Sequence, residues 1–202
     1  MRRWVLVAFT GLVSLALLVP ILATAQHASV QDANDTKGLL DIRRVEMPKG
    51  ARWKVTSWVS WKTESIWDRG FTFVYLDTFG GSRADYYVLV SSDGRKLTGV
   101  LHRDPQRGND RRIRTVRTRH PSGRVVNVAV PLDRLRRRDS GLFRWYVLTT
   151  MSGDNCRRVC FDRAPDGGAI TEPGPRPTPT LPTPTPPPTP TPPPTPTPTP
   201  TS

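Results

Sequence analysis

The stretch Phe71–Val90, FTFVYLDTFGGSRADYYVLV, constrains the fold more than any other part of the chain. Phe71, Phe73 and Tyr75 alternate with Thr72, Val74 and Leu76. After a polar, glycine-containing loop, Tyr86, Val88 and Val90 alternate with Tyr87, Leu89 and Ser91. A period of two marks a strand, because successive side chains of an extended backbone point to opposite faces. The stretch therefore reads as two β-strands joined by a loop with Asp77 and Asp85 at its ends. Apolar residues fall on both faces of each run, which places the hairpin at the centre of a two-layer β structure.

Other segments repeat the signature. Leu39, Leu40, Ile42 and Val45 suggest a first strand, stopped by Met47-Pro48-Lys49-Gly50. In RWKVTSWVSW, Trp53, Val55, Ser57, Val59 and Trp61 share one face, with Trp58 on the other. An Asp93-Gly94 turn feeds a strand through Leu97, Val100 and Leu101. A poorly patterned strand follows at Ile113–His120, then a clearer one in which Val126, Val128, Val130 and Leu132 face inward. A last strand, Leu142–Met151, sets Phe143, Trp145 and Val147 against Arg144, Tyr146 and Leu148. About eight short strands with frequent turn signals and no amphipathic helix predict an all-β fold. An antiparallel β-sandwich, jelly-roll or immunoglobulin-like in outline, is expected, with a β-barrel of the same strand count as the alternative.

The ends are different physical objects. Arg2 and Arg3 precede an uncharged apolar run, and Ala23-Thr24-Ala25 then offers a small-x-small cleavage pattern. Residues 1–25 read as a signal peptide, so the remainder is expected outside the cytoplasm, secreted or at the cell envelope. A membrane contact is expected only through an uncleaved signal segment. Residues 26–36 are polar and read as a flexible lead-in, and residues 37–172 as the β-sandwich domain. Residues 173–202 are nearly all Pro and Thr. Such a segment has no apolar surface to bury, and its prolines forbid helix and ladder; it is expected to be a disordered polyproline spacer.

The chain carries 30 Lys and Arg against 17 Asp and Glu, a net charge of +13. An exported basic protein meets anionic surfaces, and the densest positive run is RRIRTVRTRH. Arg111, Arg112, Arg114, Arg117 and Arg119 are the candidate patch for an anionic polymer. In a single strand, Arg111, Arg117 and Arg119 would share one face, and Arg112, Arg114 and His120 the other; Arg137 and Arg138 would extend the patch. No motif of a sequence-specific nucleic-acid domain is present.

Cys156 and Cys160 are the only cysteines and, in an exported chain, read as a disulfide. Asp77 and Asp85 are the candidate metal ligands, for calcium, although Phe79 and Arg83 stand where a strong calcium loop places Asp or Asn. The competing reading has the two carboxylates capping turns. Asp154, Asn155, Asp162 and Asp166 make a second oxygen-rich group beside the cysteines. Among the aromatics, Trp53, Trp61 and Trp145 read as core. Trp58, Trp67 and Tyr86 are the candidates for stacking on the apolar faces of sugar rings. His102 and His120 stand in no GxSxG, HExxH or Cys–His setting, and no catalytic residue is expected.

The segments DTKGLLDIRRVE, VYLDTFGGSRADYYVLV and NCRRVCFDRAPDGG resemble a group of uncharacterised secreted actinobacterial β-sandwich proteins. More remotely, the strand pattern is similar to family 9-like carbohydrate-binding modules. The first resemblance implies no activity, and the second implies a glycan ligand. Together these features lead to the expectation of a non-catalytic secreted or envelope module contacting glycan or anionic wall polymer. The alternative is a structural or adhesion protein with a protein partner.

Overall fold

The computed structural model describes residues 28–48, 51–105, 108–136 and 141–174. The signal segment, Arg137 and Arg138, and the Pro/Thr segment beyond residue 174 lie outside the described residues. Within them run twelve strands: β1 (Ser29–Gln31), β2 (Ile42–Glu46), β3 (Arg52–Ser57), β4 (Gly70–Asp77), β5 (Tyr86–Ser92) and β6 (Leu97–Arg103). They continue with β7 (Arg111–Val116), β8 (Thr118–Ser122), β9 (Val125–Ala129), β10 (Leu142–Gly153), β11 (Cys156–Ala164) and β12 (Ile170–Pro173).

One sheet has the order β1-β2-β3-β9-β8 and the other β11-β10-β4-β5-β6-β7, with β12 paired to β10 beyond the end of β11. Every pairing is antiparallel. The expected all-β sandwich is therefore the observed fold. No helix among the described residues is long and apolar enough to cross a membrane.

The inner faces meet around three aromatic rings. Trp53 packs edge-on against Phe143 at 6.3 Å and against Trp145 at 6.1 Å between ring centroids. Ile42, Val45, Val74, Leu76, Val88, Leu101, Val128 and Val147 close the core around them. Burying each such side chain contributes roughly 1.5–3 kcal/mol. Trp61 is also buried; it stacks on His120 at 4.0 Å, and both imidazole nitrogens of His120 lie against backbone carbonyls. His120 is thus a packed core-rim residue.

The hairpin β4–β5 does lie inside its sheet, between β10 and β6. Its phase is set by the smaller residues. Thr72, Val74 and Leu76 point inward with Tyr86, Val88 and Val90, while Phe73, Tyr75, Tyr87 and Leu89 point outward.

The lead-in is not free over its whole length. Ser29–Gln31 pairs with β2, so the sandwich begins before residue 37. At the other end Pro173 pairs with Leu142, carrying the domain one residue into the segment read as spacer.

The arginine-rich run is two strands. The chain leaves β7 at Val116 and enters the other sheet at Thr118, crossing over Gly99. A Cβ at Gly99 would collide with the Thr118 hydroxyl oxygen, so β6 accepts that crossing only with glycine there. The segment around the cysteines is a strand as well, paired to β10 through the turn Gly153-Asp154-Asn155, whose residues all have positive φ.

Candidate functional site

Antiparallel pairing puts directly opposed residues on the same face. On the outer face of the five-stranded sheet, Arg119, Asn127 and Lys54 form one rung across β8, β9 and β3. On the next, Ala129 pairs with Arg52, and its N–H donates to the carbonyl of Arg117 at 2.9 Å. The central strand β9 thus offers only Asn127 and Ala129, while long cationic side chains stand on both sides. Short residues between tall ones make a trough.

Two cavities, each of about 300 Å³, follow that trough. The first is walled by Pro48, Arg52, Lys54, Arg117 and Arg119, and the second by Arg52, Arg114, Arg117 and Pro131. They share Arg52, Arg117 and the floor residue Ala129, so they form one channel across the β7–β8 edge.

Among the described residues, no carboxylate makes an ion pair with Arg52, Arg114, Arg117 or Arg119. Lys54 is different, because its ammonium bonds Glu46 at 2.8 Å and Arg44 shares that carboxylate at 3.1 Å. The hydrogen bond from Lys54 holds the Glu46 carboxyl below its ordinary value.

The five predicted arginines are therefore sorted by the fold. Arg114, Arg117 and Arg119 line the trough, joined by Arg52, which lies far from them in sequence. Arg112 pairs with His102 on the outer face of the other sheet, and Arg111 with Arg103. The single-strand reading, which grouped Arg117 with Arg111, fails because the chain changes sheets at Arg117.

The predicted sugar-stacking set does not assemble. Tyr86 is 3% exposed and belongs to the core. Trp58 is half-buried: the Arg43 guanidinium covers its ring at 5.2 Å, and its indole N–H donates to the Ala33 carbonyl at 3.0 Å. Trp67 is 60% exposed and lies against Gly94, with no second predicted aromatic beside it.

A different row exists on the outer face of the seven-stranded sheet, across β10, β4, β5 and β6. Tyr146 stacks on Tyr75 at 4.7 Å, Tyr75 meets Tyr87 at 5.8 Å, and Tyr87 stacks on His102 at 4.8 Å. Arg163 covers Tyr146 at 4.3 Å. These rings turn their faces toward one another, leaving mainly edges for solvent. Burial, with the bond from its hydroxyl to Asp110 at 2.8 Å, pushes the Tyr87 phenol well above its ordinary range.

Asp77 and Asp85 are turn caps. Asp77 accepts from Gly80 N–H at 2.6 Å and Gly81 N–H at 3.2 Å, and its other oxygen is held by the Arg144 guanidinium. Asp85 accepts from the N–H groups of Thr78 at 2.7 Å and Phe79 at 3.0 Å. The Arg144 guanidinium neutralises Asp77, and both carboxylates are engaged as the competing turn-cap reading expects.

Cys156 and Cys160 are disulfide-bonded with their Cα atoms 5.5 Å apart. Opposite them Gly153 pairs with Cys156 but Ser152 with Val159, so the bridge closes a bulge in β11. The oxygen-rich group beside it does not form. Asp154 pairs with Arg69 at 3.4 Å, while Asp162 turns inward to meet Asp32, Asp35 and Asp41. Those three residues were not singled out in the sequence. Their signal was a spacing of three and six residues in DANDTKGLLD, hidden by a polar context.

The chain matches no family model, no curated protein and no solved structure. Residue roles therefore come from the geometry.

Proposed function

We propose that this protein is a non-catalytic, extracytoplasmic binding module that holds an anionic polymer, a phosphodiester- or uronate-bearing wall polymer, along the trough over Asn127 and Ala129. The observation that carries the reading is the unneutralised set of Arg52, Arg114, Arg117 and Arg119 along one channel. Guanidinium groups match phosphate and carboxylate oxygens bidentately, and a row of them matches a repeating anion better than a single small one. The disulfide and the basic balance of the chain agree with a site outside the cytoplasm.

A neutral glycan is the weaker reading. Its stacking residues are buried, capped or alone, and the outer aromatic row shows edges instead of faces.

The test is binding of the full chain to a polyuronate, a polyol phosphodiester polymer and a neutral glucan at several salt concentrations. The two polyanions are expected to bind, with log K falling against log salt at a slope of about −2 to −3 for three or four contacts. Equal binding to the neutral glucan, or binding insensitive to salt, overturns the proposal.

A further inference from the structure

Asp35, Asp41 and Asp162 each place a carboxylate oxygen so that all three lie within 4.8 Å of one another. Asp41 is 3% and Asp162 5% exposed, while Asp35 opens to solvent. Asp32, 9% exposed, is not part of that 4.8 Å group but lies beside Asp162.

The surrounding chain is folded tightly. Asp32 N–H donates to the Arg43 carbonyl at 3.0 Å, Trp58 N–H to the Asp41 carbonyl at 2.9 Å, and the Thr149 hydroxyl to the Leu40 carbonyl at 2.8 Å. Asp162 receives the N–H groups of Ile42 and Arg163. The loop between β1 and β2 is thus wrapped around carboxylates and fixed to β11.

Two independent observations bear on the partner of this cluster. First, Asp32 Oδ2 and Asp41 Oδ1 are buried without a hydrogen-bond partner. Buried polar atoms are nearly always paired, and an orphaned carboxylate oxygen is among the most unfavourable. Second, among the described residues no Lys, Arg or His makes an ion pair with any of the four aspartates, although the chain holds 30 Lys and Arg. Arg43 lies over Trp58, and Arg163 is spent on the carbonyls of Asp166 and Gly168.

We propose that Asp32, Asp35, Asp41 and Asp162 form a binding site for a hard divalent cation, calcium, that fastens the β1–β2 loop to β11. Donors that are all oxygen, with no His or Cys among them, select a hard ion over zinc or copper. Calcium accepts six to eight oxygens in variable geometry, which suits carboxylates gathered from a loop and a strand. Magnesium demands a near-ideal octahedron and keeps its waters. This inference rests on different residues from the polymer trough and stands independently of it.

The experiment uses the full chain freed of metal by chelator. Terbium is added first, because the Trp58 indole is bonded into the same loop at Ala33 and is placed to sensitise its luminescence. Sensitised emission that calcium displaces, with magnesium at least tenfold weaker, is expected. Thermal melting is then expected to rise by several degrees with millimolar calcium over chelator. Asp35→Asn, at the exposed ligand, should lower calcium affinity at least tenfold while leaving the melting temperature in chelator unchanged or higher. Should Asp41→Asn itself fail to fold, Asp35→Asn keeps the test complete. No displaceable terbium emission together with no melting shift shows that the carboxylates share protons instead, and overturns the site.

Discussion

At the β2–β11 edge, carboxylates crowd into the interior with no ion pair to a cation among the described residues; at the β7–β8 edge, guanidinium groups crowd in solvent around a short-floored trough. Both are clusters of like charge, but the dielectric separates them. Two unit charges 4.8 Å apart, the upper limit within the aspartate cluster, repel by about 0.9 kcal/mol in water and about 3.5 kcal/mol at an effective dielectric near 20. The exposed cluster therefore persists without a partner and can exchange one, with strong dependence on salt. When ionised, the buried cluster is unfavourable until a counter-ion enters. In the two proposals, one edge serves a reversible polymer contact and the other a resident ion.

Breaking the buried edge should give the largest effect, and one that changes sign. In chelator at pH 8, Asp41→Asn removes one charge from the cluster and is expected to stabilise the protein by about 1–3 kcal/mol. In calcium at 1,000 times its Kd, the same variant forfeits binding worth about 4.1 kcal/mol and falls below the wild type. Paired denaturant titrations with and without calcium check both halves. A variant that shifts equally in both buffers would break the comparison.

The exposed edge should show the opposite profile. Arg117→Glu with Arg119→Glu is expected to weaken polyanion binding at least tenfold, about 1.4 kcal/mol, with stability changed by no more than about 0.5 kcal/mol. Binding isotherms and melting curves on the same protein read the two quantities. If stability falls as far as affinity, these arginines belong to the fold.

A smaller effect separates shape from charge. Ala129→Leu fills the floor of the trough without altering a charge, and about five-fold weaker polymer binding is expected, with an unchanged salt slope. Unaltered binding would mean that charge density alone attracts the polymer.

The smallest change concerns Glu46, which holds Lys54. Glu46→Gln should free that ammonium and raise polymer affinity about two-fold. Because the Glu46 carboxyl lies below its ordinary 4.5, its contribution to stability is present above that pH and is lost as pH falls through the lower folded value. Wild-type affinity should therefore rise toward the Glu46→Gln level in that acidic window, and a flat profile would remove Lys54 from the binding set.

Much of this was legible in the sequence, for a physical reason. Burial alternates along a strand, so Val126-Asn127-Val128 and Phe143-Arg144-Trp145 announce both their strands and their inner faces. Trp53, Trp61 and Trp145 were readable as core on the same ground. The hairpin Phe71–Val90 was not readable in phase, because both of its faces are apolar. Only packing decided that Val74 and Leu76 go inside, Tyr75 and Tyr87 outside, and Tyr86 inside. The bulge closed by Cys156 and Cys160 broke the alternation of β11 and hid a nine-residue strand.

The candidate sites divide the same way. Arg114, Arg117 and Arg119 are neighbours in sequence, and their density alone marked a basic surface. Their partner Arg52 and their floor Ala129 come from other strands, and only strand pairing makes the patch a trough. Of the four aspartates the sequence singled out only Asp162, in a group that does not form, and read Asp32 and Asp35 as part of a polar lead-in. Asp32, Asp35 and Asp41 acquire meaning when the β1–β2 loop folds onto β11 and shuts their oxygens away from water with Asp162. Local periodicity fixes which face of a strand is apolar; which charges meet, and in what dielectric, is decided by residues that lie far apart in the chain, such as Arg52 with Arg117 and Asp41 with Asp162.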